Sequence, residues 1–178
     1  MTRQPIPIDQ LAVRVHHLWS TQWLLLTSGN FAKGRYNTMT VGWGSFGTMW
    51  SKPVAMVVVR PGRHTNRFME EYPTFTLSAF KETHRKALQI LGSKSGRDGD
   101  KIRESGLTPV AASQVAAPAF AEADLIIECR QIYRDAIDPA GFMDPSIDLN
   151  YPQRDYHRIY LGEVVIAHGT QAYHACSP

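Results

Sequence analysis

Six short segments of the chain are rich in apolar, β-branched or aromatic residues and are bounded by turn residues. They lie at residues 23–27, 38–43, 54–60, 74–80, 125–133 and 158–167. The first runs into a Ser-Gly-Asn turn over residues 28–30, which is typical of a strand that leads into a tight connection. We therefore predict six β-strands.

The pattern inside these segments distinguishes buried strands from half-buried ones. Segments 54–60 and 158–167 are apolar on both faces, as central strands are. Segment 74–80 alternates, which predicts a half-buried strand whose polar face is available for contacts. Its apolar face would hold Phe75, Leu77 and Ala79, and its polar face Thr74, Thr76 and Ser78. Segment 125–133 alternates similarly, with Leu125, Ile127, Cys129 and Tyr133 opposite Asp124, Glu128 and Arg130.

Helical signals are few and short. We expect one helix over residues 65–72, with Thr65 as its N-cap and Pro73 ending it. A second is expected over residues 83–91, with Thr83 as N-cap and Gly92 as C-cap. A third helical turn would cover residues 98–104. Six strands with so few helices favour an antiparallel barrel or sandwich over a parallel α/β fold, which needs a helix after nearly every strand.

Composition narrows the class of protein. The 178 residues, with a net charge of +3, fit a single domain spanning residues 1–178 that needs no metal or disulfide for its core. Cys129 and Cys176 form no CxxC pair, and the N-terminus lacks the apolar core of a signal peptide, so we expect a cytoplasmic protein. The longest apolar runs are too short to span a bilayer, and the mild charge does not call for nucleic acid.

The segment from Asn37 to Ser45 interleaves hydroxyls, glycines and a tryptophan along a strand and its exit. Glycines let a flat ligand approach the backbone closely, and Trp43 could pack on an aromatic ring. The same pattern also fits a bulged strand with a core tryptophan.

The segment from Arg60 to Arg67 links a buried strand to a helix start and carries three arginines and His64. A helix N-terminus attracts anions, and arginine matches phosphate geometry, so this turn suits a phosphate. A solvated basic turn would have the same composition.

The glycine-rich, charged loop over residues 92–101 could cradle a phosphate or cover a ligand, but it lacks the P-loop spacing. A flexible surface loop is the alternative. The seven histidines have no metal-ligand spacing, and no nucleophile motif is present. If this protein does chemistry, a cofactor is expected to supply it.

Taken in order, these segments resemble the flavin reductase-like family of FMN-binding split-barrel proteins, which includes flavoredoxins. The resemblance is carried by Asn37-Thr38-Met39-Thr40 with Trp43, Trp50-Ser51-Lys52-Pro53, Val59-Arg60-Pro61-Gly62-Arg63-His64-Thr65, Phe75-Thr76-Leu77, Ser95-Gly96-Arg97-Asp98 with Lys101, and Gly162-Glu163-Val164. It covers most of the chain, from about residue 23 to residue 167.

The resemblance implies a six-stranded antiparallel split β-barrel with a few short helices, and FMN bound at the interface of a homodimer. Flavin contacts would come from Asn37, Thr38, Met39, Thr40 and Trp43. Phosphate and ribityl contacts would come from Arg63, Thr65 and Asn66, and further cofactor contacts from Ser95, Gly96 and Lys101. The implied activity passes electrons from NADH or NADPH through FMN to a flavin, a metal chelate or a protein.

One departure concerns the nicotinamide. Members with a reductase role often carry Gly-Asp-His before the last core strand, whereas this chain has Asp155-Tyr156-His157. His157 is the candidate for orienting a nicotinamide, with a structural histidine as the alternative. The loop over residues 135–152 is expected to cover the flavin or the substrate. Rival functions are a flavoredoxin-like electron carrier without a nicotinamide site, a barrel that binds single-stranded nucleic acid, and a barrel for a haem or deazaflavin.

Overall fold

The computed structural model describes residues 2–175, so Cys176 lies outside the described part. Within it, the strands are β1 (Gln4–Ile6), β2 (Leu24–Asn30), β3 (Arg35–Val41), β4 (Gly44–Met49), β5 (Lys52–Val59), β6 (Thr74–Ala79), β7 (Pro109–Val110), β8 (Ala119–Phe120), β9 (Leu125–Ala136) and β10 (Arg158–Gly169). The α-helices are α1 (Val15–His17), α2 (His64–Glu71), α3 (Arg85–Ser93) and α4 (Lys101–Ser105).

One antiparallel sheet organises the molecule, in the order β3-β2-β6-β9-β10-β5-β4, and β1 pairs with the far end of β10. Strands β7 and β8 form a separate two-stranded sheet. The mainly β, antiparallel fold class is confirmed, but the main sheet has eight strands rather than six. The two strands that were not predicted, β1 and β4, are short or glycine-containing and carry little apolar alternation.

The sheet curls around its core. Strands from both ends of the sheet order contribute to a single cluster, which includes Leu24, Leu26, Met39, Val41, Val57, Val59, Phe75, Leu77, Ile127 and Tyr160. A second cluster lies outside the sheet, where α3 buries Ala87, Leu88 and Leu91 against Leu25 and Ile126. Helix α3 is therefore held on the outer face of the barrel, beside β2 and β3.

The predicted central strand 158–167 is confirmed, because β10 pairs with β9 along one side and with β5 along the other. The prediction that strand 74–80 is only half-buried is wrong. Its polar face is buried too, because Thr76 donates to the carbonyl of Pro118 at 2.6 Å and Ser78 is fully enclosed. On the neighbouring strand, Glu128 is also buried and accepts hydrogen bonds from the main chain of Ser113 and Gln114.

The hairpin connections differ from the sequence prediction at two places. Strand β2 continues through the predicted turn at residues 28–30, and the chain reverses over residues 31–34 instead. The Trp50-Ser51 pair forms the β4–β5 turn with both residues at positive φ. A two-residue hairpin turn needs this conformation, although it usually selects asparagine or glycine.

Caps were predicted for two helices, and the predicted caps Thr65, Thr83 and Gly92 are all wrong. Arg63, not Thr65, is the N-cap of α2, because the Thr65 hydroxyl accepts a hydrogen bond from Asn37 within the protein. Thr83 lies inside a 3-10 turn before α3, and Gly92 lies inside α3. Helix α4 starts at Lys101, after Asp100 caps it, rather than at residue 98. No helix within residues 2–175 has the length and apolar content to cross a bilayer.

A glycine at the centre of the barrel is expected to be sensitive to any added side chain. A Cβ on Gly162 would lie 2.5 Å from the Phe75 ring and 2.8 Å from Cβ of Cys129, both of which are fully buried. We expect Gly162→Ala to lower the free energy of unfolding by about 2–3 kcal/mol through overpacking. Gly47→Ala on exposed β4 is the matched control, since its Cβ would meet nothing within 4 Å. Equal urea midpoints for the two variants would contradict this account.

Candidate functional site

The side chains of β3 alternate between the barrel core and the outer side of the sheet. Asn37 and Met39 point to the barrel side with Leu26, while Thr38 and Thr40 point to the outer side with Thr27. Thr38 is fully buried and donates to the carbonyl of Leu26 at 3.1 Å. Thr40 donates to the carbonyl of Leu88 at 2.5 Å. The hydroxyls of β3 therefore hold the strand in place, and its end at Met39–Val41 borders a cavity.

A cavity of about 210 Å³ lies at the end of β3. It is lined by Met39, Thr40, Val41, Gly42, Trp43, Val58, Arg60 and His157. The Trp43 side chain is 51% exposed, and its ring centroid is 5.1 Å from that of His157. The sequence prediction placed Trp43 and His157 in different motifs, and the fold brings them together in what we call the Trp43 cavity.

His157 is uncharged at neutral pH. It is 8% exposed, and its Nδ1 lies 2.9 Å from the Tyr151 hydroxyl. Burial lowers the pKa of His157 to about 4, with a further decrease from the Arg60 charge and an opposing effect from Asp155. At pH 7 the Trp43 cavity therefore contains a neutral imidazole, which can donate one hydrogen bond and accept one.

A second cavity, of about 400 Å³, shares Thr40 and Gly42 with the first. Its remaining lining is Trp23, Leu88, Gln89, Gly92 and Ser93. Trp23 has a φ of 65°, an unusual backbone conformation for a bulky residue, and the Arg85 guanidinium lies 4.1 Å from its ring centroid. Sequence reasoning assigned Trp23 only to a strand, because neither its backbone angle nor its partner is visible in the pattern.

Cations converge at the start of α2. Burial lowers the pKa of His64, and the charges of Arg97, Arg67 and Lys101 lower it further. The Nδ1 of His64 is buried without a hydrogen-bond partner among the described residues. All the charged groups that act on the pKa of His64 are cations. We call Arg63, Arg67, Arg97 and Lys101, together with His64, the cation cluster, and their shared charge favours an anion.

Lys101 and Arg63 are the enclosed members of the cation cluster. Lys101 is 3% exposed, and its Nζ donates to the carbonyls of Leu91 at 3.0 Å and Lys94 at 3.1 Å. Burial lowers the pKa of Lys101 to about 8, and the Arg63 charge adds to the decrease. Arg63 donates to the carbonyl of Gly92, and burial lowers its pKa as well. Both cations therefore hold the C-terminal end of α3 while keeping further N–H groups for another acceptor.

The predicted loop residues reach the same place. A Cβ on Gly96 would lie 2.3 Å from Oδ1 of Asn37 and 3.2 Å from the His64 ring, so only glycine fits there. Ser95 turns its hydroxyl towards the main-chain N–H of Arg97, from which it accepts a hydrogen bond. Because Asn37 also donates to Thr65 at 2.7 Å, strand, helix and loop meet around one amide.

Asn66 differs from the other predicted phosphate residues. Its Oδ1 accepts a hydrogen bond from the Tyr160 hydroxyl at 2.8 Å inside the protein. The structure therefore brings Asn37, Arg63, Thr65, Ser95, Gly96 and Lys101 into one region and Met39, Thr40, Trp43 and His157 into an adjacent one. The side chains of Thr38 and Asn66 are buried in hydrogen bonds within the protein. Within residues 2–175, no group of three or more metal-ligating side chains is close enough to hold an ion.

A family model described as a flavin reductase like domain matches residues 17–174. No curated protein matches the chain significantly.

Several solved structures share the fold. Flavoredoxin of Desulfovibrio vulgaris (Miyazaki F) is 22% identical with a TM-score of 0.66, and the match covers 90% of this chain and 75% of that one. An FMN-binding domain of a flavin reductases-like enzyme from Shewanella baltica OS155 is 17% identical with a TM-score of 0.69, covering 99% and 84%. An NADH:FAD oxidoreductase of Streptomyces globisporus C-1027 is 20% identical with a TM-score of 0.66, covering 85% and 77%.

The depressed pKa of His157 should make stability depend on pH. An unfolded histidine titrates near 6.5 and the folded one near 4, so the unfolded state binds more protons between these values. Stability is then complete above pH 6.5 and decreases as the pH falls towards 4. We expect the free energy of unfolding to be about 2 kcal/mol lower at pH 5 than at pH 7.5 from this group. Urea denaturation at both pH values measures this difference.

The control is His157→Gln, which cannot titrate. It should lose this part of the pH dependence, whatever its stability at pH 7.5. The assignment is wrong if the variant and the wild type lose equal stability between the two pH values.

Proposed function

The chain belongs to the flavin reductase-like domain family, and from that premise we propose that it binds FMN and transfers electrons from NADH or NADPH to an acceptor. The observation that carries the proposal is the contact of the cation cluster with Gly92 in the lining of the second cavity, which shares Thr40 and Gly42 with the Trp43 cavity. A ligand with a phosphate at one end and a flat ring at the other would use both features.

The cation cluster fits the phosphate of FMN. Arg63 and Lys101 keep unused N–H groups, and the buried Nδ1 of His64 has no partner among the described residues. Charge-assisted hydrogen bonds to phosphate are among the strongest available to a protein. Arg63, Lys101 and the main chain around Ser95 and Gly96 would hold the phosphate, and Thr65 and Asn66 would support them through their bonds to Asn37 and Tyr160.

The end of β3 fits the ring. Residues 37–42 present the main chain of an ordered strand, and the exposed Trp43 indole offers an aromatic surface beside it. Asn37, Thr38, Met39 and Thr40 would position the ring through this main chain, since their side chains are largely occupied within the protein. Several structural neighbours are described as FMN-binding or as an NADH:FAD oxidoreductase, which supports a flavin here and leaves FAD as the second candidate.

When bound, FMN would supply reversible two-electron chemistry. The chain contributes binding, orientation and the local field. The cation cluster neutralises the phosphate, and the neutral His157 adds no charge beside the ring. We propose the Trp43 cavity as the place where the nicotinamide, or the acceptor that replaces it, is oriented. A neighbour described in complex with NAD and FAD fragments supports a nicotinamide site in this fold.

Two further elements belong to the proposal. We propose a homodimer, because Trp43, Met49 and Trp50 expose large apolar side chains that a second copy would cover. The second candidate function is an electron carrier that holds FMN but takes electrons from a partner protein. The flavoredoxins among the structural neighbours and the missing glycine before Asp155 favour it.

If Arg63 and Lys101 bind the phosphate, removing either cation should lower the affinity for FMN far more than the affinity for riboflavin. Arg63→Ala and Lys101→Met should each weaken FMN binding about 10- to 100-fold, because each removes a charged hydrogen-bond donor. Riboflavin, which lacks the phosphate, should lose at most about threefold. Fluorescence titration of both ligands measures the difference. Lys86→Met, at an exposed position of α3, is the control and should bind FMN normally. An equal loss for FMN and riboflavin would refute the phosphate contact.

The electron path predicts a spectral change. The purified protein, loaded with FMN under anaerobic conditions, should lose its flavin absorption near the visible maximum when NADH or NADPH is added. A band that persists with both nucleotides but bleaches with dithionite would identify the electron carrier instead. A protein that takes up no FMN and no FAD would refute the proposed function.

A further inference from the structure

The β9–β10 connection (residues 137–157) reaches the Trp43 cavity at its last residue, His157, which lines it. A main-chain hydrogen bond from Ile137 to His157, 3.0 Å long, closes its two ends. Arg60, which leaves β5 beside the cavity, fastens its second half. Its guanidinium donates to the Asp155 carboxylate at 2.6 Å and to the carbonyl of Asn150 at 2.8 Å. This connection is therefore ordered where it reaches the cavity.

Tyr151 is the residue of this connection whose side chain reaches His157. It is 4% exposed, and its ring packs against Phe142 and Tyr156, while the Arg60 guanidinium lies 5.0 Å from its centroid. Its hydroxyl has a single side-chain partner among the described residues, Nδ1 of His157 at 2.9 Å. The phenol is thus held rigidly with its oxygen against one specific nitrogen.

The chemistry of the pair determines the direction of this hydrogen bond. A phenol is the stronger acid and an imidazole nitrogen the stronger acceptor, so the hydroxyl donates and Nδ1 accepts. Burial raises the pKa of Tyr151, which keeps the phenol protonated, and the main-chain N–H of His157 acts on the same oxygen. Because the imidazole is neutral and Nδ1 accepts, its hydrogen is on Nε2.

The Nε2 of His157 makes no hydrogen bond with a described residue and is not fully enclosed. His157 lines the cavity together with the apolar or aromatic side chains of Met39, Val41, Trp43 and Val58, and with Thr40, Gly42 and Arg60. The Arg60 charge in the same lining is compensated by Asp155. The cavity therefore offers a neutral N–H donor beside an exposed indole, which suits a planar uncharged ring with a carbonyl oxygen.

We infer that Tyr151 is a positioning residue that holds His157 as the Nε2–H tautomer, so that the Trp43 cavity donates one hydrogen bond to the carbonyl oxygen of a planar ring. The identity of that ring rests on the proposed function: it is the carboxamide of the nicotinamide donor or the carbonyl of a quinone-type acceptor. Arg60 contributes by fastening the β9–β10 connection.

The tautomer can be measured without any activity. Protein labelled with ¹⁵N-histidine should show, at pH 7, an acceptor-type Nδ1 and a protonated Nε2 for His157 in long-range ¹H–¹⁵N spectra. Tyr151→Phe should shift both nitrogens towards averaged values as the second tautomer becomes populated. Tyr156→Phe is the matched control, because Tyr156 belongs to the same aromatic group but donates to Asp148. A protonated Nδ1 in the wild type, or unchanged shifts in Tyr151→Phe, would overturn the inference.

A kinetic test decides whether the ring bound in the Trp43 cavity is the nicotinamide or the quinone-type acceptor. In the flavin-loaded protein, Tyr151→Phe should raise the KM for NADH about fivefold to tenfold if the nicotinamide is the partner, with kcat and flavin affinity nearly unchanged. The same increase in the KM for 2-methyl-1,4-naphthoquinone, with none for NADH, identifies the acceptor. Ferricyanide, which has no carbonyl, should be unaffected. Unchanged KM values for both NADH and the quinone would overturn the role in the cavity.

A double variant tests whether Tyr151 acts through His157 rather than through a change in folding. His157→Gln keeps a side-chain N–H donor that does not depend on Tyr151, so adding Tyr151→Phe to it should raise KM no further. A further increase in the double variant would show that Tyr151 acts by a route other than His157 and would refute the inference. If the protein binds no flavin, the proposed function fails, while the tautomer spectra still decide whether Tyr151 positions His157.

Discussion

Two enclosed cations, Arg63 and Lys101, hold the geometry of the site. They stand close enough for the charge of one to lower the pKa of the other, and no carboxylate is among the groups acting on either. Their repulsion is offset by the carbonyls of Leu91, Gly92 and Lys94, which form the negative end of α3. The end of α3 is thereby fastened against β3, because Gly92 sits directly over Thr40. Both cavities share Thr40, so their shape depends on this bond between cations and a helix terminus.

Much of this arrangement could be predicted because it is local. A buried strand followed by three arginines and a histidine predicts a cationic turn, and the structure gathers cations there. The approach of a ring to the glycines next to Trp43 stays a prediction. The fold class followed from six segments with strand periodicity and few helical signals. Lys101 and Gly96 were assigned through family resemblance, and the structure brings them to the same turn. These features depend on residue types and spacing that the sequence displays directly.

Other features depend on contacts between distant residues, and sequence reasoning missed them. Thr65 has the composition of an N-cap, but its hydroxyl is taken by Asn37, 28 residues earlier. The polar face of β6 has the pattern of a solvated surface, but Pro118 and its neighbours cover it. The bond between Asn66 and Tyr160 spans 94 residues and gives a predicted phosphate contact a supporting role. In each case a polar side chain found its partner inside the fold, which alternation along one strand or helix cannot reveal.

The two ends of the site differ in charge, and this difference orients an asymmetric ligand. At the cation cluster, no carboxylate is among the groups that shift the pKa of Arg63, His64 or Lys101, so an anion there would replace repulsion with attraction. At the Trp43 cavity, Arg60 is already paired with Asp155 and the imidazole is neutral, so a charged group would lose its hydration without compensation. A ligand with a phosphate at one end and an uncharged ring at the other would therefore fit in one direction only. The proposed Nε2–H donor of His157 would add no charge beside an uncharged ring and would select it by geometry.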